Sequence, residues 1–178
     1  MHQDDERLMQ DHAELGALLG QLIATLQSND VAQIYAILDL FWARLAIHIR
    51  AEHLHLFEAI LQALGRKPGG LGDGDPPPVE AARTIEELRE DHNFFMRELS
   101  QAVAVIRELL TDPGTDFAEQ LQSVRKRINA VQERLVKHNE IEERGIYVWT
   151  RTLLTQAEQS QLAALLKREL DNTPPRFA

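Results

Sequence analysis

Residues 117–149 read FAEQLQSVRKRINAVQERLVKHNEIEERGIYVW. Phe117, Leu121, Val124, Ile128, Val131 and Leu135 recur at three- and four-residue steps, the period of one helix face and not of a strand. The same seam runs on through His138, Glu142, Gly145 and Trp149. A histidine and a glutamate therefore stand one turn apart on a face that is otherwise apolar. Burying a charge is destabilising unless something pairs with it, so this helix predicts both a helical core and a counter-charge within it.

Three further segments upstream show the same period. The first carries Leu8, His12, Leu15, Leu19, Leu22 and Leu26. The second starts at Asp30, an N-cap with Gln33 three residues on, and reads Ile34, Ile37, Phe41, Leu45, His48, Glu52, His55, Ala59 before Gly65 stops it. The third carries Ile85, Leu88, His92, Phe95, Leu99, Ala102, Ile106 and Leu109. Between the second and third, GRKPGGLGDGDPPP (residues 65–78) holds five glycines and four prolines, which predicts a loop or crossover. Pro113 and Gly114 in TDPGTD separate the third from the fourth. Thr155 and Glu158 form a capping box ahead of Leu162, Leu165, Leu166 and Leu170, and the tail NTPPRFA is expected to fray. The expected fold is all-α: an antiparallel up-down-up-down four-helix bundle over residues 1–155, with a short fifth helix and tail over 156–178.

That topology sets the depth of each histidine. At 1.5 Å rise per residue, His12 and His48 stand about 25 and 27 Å from the first turn, and His92 and His138 about 30 and 35 Å from the second. The four imidazoles are thus expected within about two helical turns of one layer. Each half of the chain supplies the same kit: Asp11-His12 with His48-x-x-x-Glu52, then Asp91-His92 with His138-x-x-x-Glu142. A lone histidine on an apolar stripe is more often a hydrogen-bonded core residue than a ligand. Four of them with two carboxylates in one slice are different, because no lysine or arginine lies on these seams. Arg44, Arg50, Arg97 and Lys137 fall off the stripe and are expected to reach solvent. A divalent cation is the simplest counter-charge.

Composition narrows its nature. The chain has 178 residues and no cysteine, which excludes disulfides, thiolate zinc and iron–sulfur ligation and leaves nitrogen and oxygen donors only. Imidazole and carboxylate suit iron, manganese or zinc. Two metals bridged by two carboxylates, with two imidazoles each, keep positions free for a solvent-derived bridge and an added ligand, which favours redox or dioxygen chemistry over a closed structural site. The formal net charge of −9 argues against nucleic acid and anionic membranes as partners. The polar start MHQDDERLMQDH and the lack of any uninterrupted run of 18 apolar residues predict neither a secretory signal nor a membrane span, hence a cytoplasmic protein.

The phrases DHAELGALL (11–19), HIRAEHLHLFEAI (48–60), DHNFFMREL (91–99) and HNEIEERGIYVW (138–149) resemble the hemerythrin/HHE cation-binding domain family, in its two-repeat H…HxxxE branch, over roughly residues 4–150. The resemblance implies a pair of iron ions with a bridging oxo or hydroxo group. His12, His48, His92 and His138 would be terminal ligands, Glu52 and Glu142 would bridge, and dioxygen, nitric oxide or peroxide would be the small ligand. The sequence departs from the oxygen-carrying members: Met96 stands where an HxxxH pair on the third helix needs histidine, and His138 leads to Glu142 by H-x3-E in place of H-x4-D. The expected role therefore moves from oxygen carriage toward iron handling, redox sensing or oxidative and nitrosative stress. A di-iron enzyme with peroxidase-like or nitric oxide-reducing activity, and a regulatory bundle with a structural metal, are the competing readings.

Several neighbours are ambiguous. His55, seven residues beyond His48, is either a fifth ligand or a group that backs the ligands. Glu52-x-x-His55 also matches an element of ferritin-like di-iron bundles, but Gly145 stands where the second copy needs histidine. His53 and Glu140 are expected to face solvent, Glu143 is a weaker alternative to Glu142, and Tyr35, Tyr147, Trp42 and Trp149 read as core or interface aromatics.

Overall fold

The computed structural model describes residues 3–28, 30–66, 75–112, 114 and 116–172, and among these every regular element is helical. Helix α1 spans Gln3–Thr25, α2 Val31–Ala51, α3 Phe57–Arg66, α4 Pro78–Thr111, α5 Phe117–Ile141, α6 Tyr147–Leu153 and α7 Gln156–Leu170. Two five-residue π turns, Glu52–Leu56 and Glu142–Ile146, join α2 to α3 and α5 to α6 without a break. Most of the expected loop at 65–78 and the tail from 173 lie outside the described residues.

Local signals account for the ends. The Asp30 carboxylate accepts the Gln33 amide at 3.0 Å and starts α2. Pro78 occupies the first turn of α4, where its missing N–H costs nothing. Before α7, Thr155 and Glu158 exchange reciprocal side-chain-to-backbone bonds at 3.3 and 2.8 Å. Those bonds also hold the exposed Glu158 carboxyl below its ordinary range.

α1 packs on α2 and α5, α2 on α4, and α4 on α5, so these four form a closed ring, while α7 folds back over α1, α2 and the first π turn. The apolar stripes of the sequence line this ring: Leu15, Leu22, Phe41, Phe95, Val124 and Ile128 are all buried. The core falls into two apolar clusters. One includes Leu15, Leu45, Phe95 and Leu135; the other includes Leu8, Ala51, Leu88 and Ile146, with Leu162, Leu166 and Leu170 of α7. Each histidine of the kit is flanked by a member of each cluster three to eight residues away, so the imidazoles occupy the layer between them. Val31–Arg66 has the length and composition of a membrane-crossing helix, yet half of that apolar stretch is buried inside the fold, as in many core helices.

The π turns correct the seam expected from an unbroken 3.6-residue period. The backbone N–H of Phe57 bonds to the carbonyl of Glu52, and that of Tyr147 to Glu142, five residues back instead of four. The extra residue rotates everything downstream. Leu56, Phe57 and Ile60 take the buried positions expected of His55 and Ala59, and Ile146, Tyr147 and Thr150 take those expected of Gly145 and Trp149.

Candidate metal centre

His12 is supplied by α1, His48 by the last turn of α2, His92 by α4 and His138 by the last turn of α5, with Glu52 and Glu142 as the first residues of the π turns. All six are buried, and both glutamates have no exposed surface. The inward ring nitrogens converge: His12 Nε2 lies 3.2 Å from His48 Nε2, and His92 Nε2 lies 3.0 Å from His138 Nε2. The carboxylates span both pairs. Glu52 has one oxygen 3.0 Å from His48 Nε2 and the other 3.2 Å from His92 Nε2; Glu142 has one 3.2 Å from His138 Nε2 and the other 3.3 Å from His12 Nε2.

Close as they are, all four glutamate oxygens lack a hydrogen-bond partner of proper geometry. Partners on the far side of the rings bear on which nitrogen faces inward. His48 Nδ1 lies 2.9 Å from Asp11 and His138 Nδ1 lies 3.1 Å from Asp91, so in each neutral ring the proton sits on Nδ1 and the Nε2 lone pair points inward. His12 Nδ1 is likewise 3.1 Å from Glu143. His92 Nδ1 lies 2.8 Å from His53 Nε2. Lone pairs on imidazole thus face lone pairs on buried carboxylate, an arrangement that repels unless positive charge sits between them.

The titration of the groups reflects that demand. Burial opposes a charged His138, but the Glu142 charge and the Asp91 hydrogen bond prevail and push its pKa up to about 10. Burial likewise opposes charge on His48, and Glu52 with Asp11 raises it well above 6.5. Burial works to raise the carboxyls of Glu52 and Glu142, the latter also feeling the Glu52 charge, yet the facing imidazoles hold both below their ordinary value. Protons do here what a cation would do better.

Two groups of four donors can each hold a metal ion: His12, His48, Glu52 and Glu142, and Glu52, His92, His138 and Glu142. Both glutamates belong to both groups. His55 belongs to neither; its Nε2 turns toward Glu169 of α7 at 3.7 Å, because the first π turn rotates it off the seam. Glu140 is exposed, and Glu143 sits behind His12 instead of replacing Glu142. His53 is a correction: it does not simply face solvent but backs His92, with burial first and the charges of His92 and Arg89 next holding its pKa low, so that it stays a neutral acceptor. Arg44 is another. It reaches Asp11 at 2.7 Å and Glu14 at 2.9 Å, and Arg134 pairs with Asp91 in the same way. Tyr147, read as a core aromatic, is fully buried and places its hydroxyl 3.1 Å from His12 Nε2. Burial, then the charges of Glu142 and Glu52, raise its phenol well above 10. Only the tyrosine five residues after Glu142 and the π turn together signal this, and the turn is invisible in the sequence.

No curated protein and no solved structure matches the chain. A family model does: that of the hemerythrin HHE cation-binding domain matches residues 3–150, ending just short of α7. A buried kit of four imidazoles and two shared carboxylates, with a domain match over most of its length, places the chain in the hemerythrin HHE cation-binding domain family.

Proposed function

We propose that this protein binds two iron ions between α1, α2, α4 and α5, arranged as an antiparallel up-down-up-down four-helix bundle, and uses them to bind or sense dioxygen, nitric oxide or peroxide in the cytoplasm. The observation that carries the reading is that Glu52 and Glu142 belong to both donor groups while their oxygens have no other partner. A single structural ion would use one group of four donors and leave two of the four histidines unused.

His12, His48, His92 and His138 would hold the ions through the Nε2 atoms that converge on the centre, and Glu52 and Glu142 would supply carboxylate oxygens to both. Asp11, Asp91, Glu143 and His53 fix each ring with its lone pair inward, which raises ligand basicity and prevents ring rotation. When bound, the metal pair supplies a redox-active centre with room for an exogenous ligand. The apolar walls of Leu15, Leu45, Phe95 and Leu135 exclude bulk water on one side, which suits a small uncharged ligand.

Metal analysis of anaerobically purified protein, with a visible spectrum before and after air, tests the proposal. Two irons per chain and a new oxo-bridge band on oxidation are expected; fewer than one metal per chain refutes it. Sustained consumption of peroxide or nitric oxide beyond stoichiometry would move the reading from binding to catalysis.

A further inference from the structure

The two halves of the centre repeat each other closely, and the places where they differ are informative. Asp11 and Asp91 back His48 and His138 in the same way, and the residues five beyond each shared glutamate, Tyr147 and Phe57, both turn inward against the histidine of the opposite half. Their ring centroids lie 5.8 and 6.0 Å from those of His12 and His92. At this matched position one half offers a hydroxyl and the other only a phenyl ring.

The hydroxyl has a definite predicament. Tyr147 is buried, and its single hydrogen-bond partner among the described residues is His12 Nε2, the nitrogen that faces the centre. It does not donate to Glu52 or Glu142, whose oxygens carry no hydrogen bond. A cation on His12 Nε2 consumes the lone pair to which the hydroxyl donates. A fully buried O–H left without an acceptor is destabilising by an amount comparable to a lost hydrogen bond, so it needs a new one at the same spot. An anion or polar diatomic held beside His12 supplies it. Phe57 can offer nothing of the kind beside His92.

We infer that the two metal positions are inequivalent, and that the one held by His12 and His48 takes the exogenous ligand, with the Tyr147 hydroxyl donating a hydrogen bond to it. Tyr147 is then the residue that selects ligands able to accept a hydrogen bond. The inference rests on the two-metal reading above, and it concerns which position is used and by what contact.

Azide serves as the probe, titrated into the ferric protein and followed by its visible spectrum in wild type and Tyr147→Phe. The variant removes one oxygen and keeps the ring, and it is expected to hold two irons per chain while binding azide about tenfold more weakly, as for loss of one hydrogen bond to a charged acceptor. The infrared stretch of bound azide should shift between H2O and D2O in wild type and not in the variant, a readout that mere packing would not move. Equal azide affinity and no solvent shift in the loaded proteins would overturn the inference alone. A phenolate charge-transfer band in ferric wild type, lost in Tyr147→Phe, would overturn it in favour of direct ligation. Wild-type protein that binds no metal would overturn both this inference and the two-metal reading.

Discussion

Stripped of metal, the protein is expected to be most stable at mildly acidic pH and to weaken as the solution becomes alkaline. In the metal-free core, protons on His48 and His138 neutralise Glu52 and Glu142. His138 holds its proton up to about 10 where an unfolded histidine releases it near 6.5. Its folded-state pKa is raised, so its contribution is fully present below about 6.5 and disappears as pH climbs through about 10. For that group alone the difference corresponds to between about 4 and 5 kcal/mol, and His48 acts in the same direction. The glutamates have depressed pKa values, so their contribution is present above the unfolded value of 4.5 and fades as pH falls. Metal-free stability should therefore peak between about 4.5 and 6.5 and decline toward about 10. Metal inverts the alkaline limb, since a cation on the Nε2 nitrogens replaces the protons; loading at neutral pH should release about two protons per chain. Urea unfolding of chelator-stripped and loaded protein across this range, with a pH indicator during loading, measures both. Metal-free stability that stays flat from about 6.5 to 10, or loading without proton release, would refute the reasoning.

Two pairs of substitutions probe the ligand set. Glu142→Ala removes a carboxylate common to both donor groups and should weaken metal binding by more than the roughly 10- to 100-fold typical of an outer partner; Glu140→Ala, at an exposed position two residues away, should change it little, and equal retention in a chelator competition would show the bridge to be misassigned. Asp11→Asn keeps the size of the side chain that orients His48 but lowers its basicity, so metal affinity should drop roughly 10- to 100-fold. The same change at Asp91, which is 15% exposed against 2% for Asp11, should cost less, and the reverse order in competition titrations would contradict the burial argument.

Much of this was legible from residue order. The spacing of Leu121, Val124, Ile128 and Val131 defines a helix face because only one period keeps those side chains together, and the start signals at Asp30 and Thr155 act through hydrogen bonds between near neighbours. The cluster of donors was legible for the same reason: His48 with Glu52, and His138 with Glu142, share a face by local geometry, and all four are buried. Other features were hidden. The sequence places His53 toward solvent, whereas it backs His92; Tyr147 is the core aromatic expected, but its contact with His12 depends on the π turn that precedes it.

By itself, then, the sequence determined the all-helical class, the four apolar stripes and the six inward donors, since each depends on contacts within one helix turn or on composition. Only the tertiary structure decided that the shared glutamates open π turns, that Asp11, Asp91, Glu143 and His53 lie behind rings on other helices, and that a hydroxyl sits against His12 and a phenyl ring against His92. Those outcomes depend on which helix lies opposite which and on a one-residue change in winding. Interactions that span 36 to 135 residues of chain leave no local period to read.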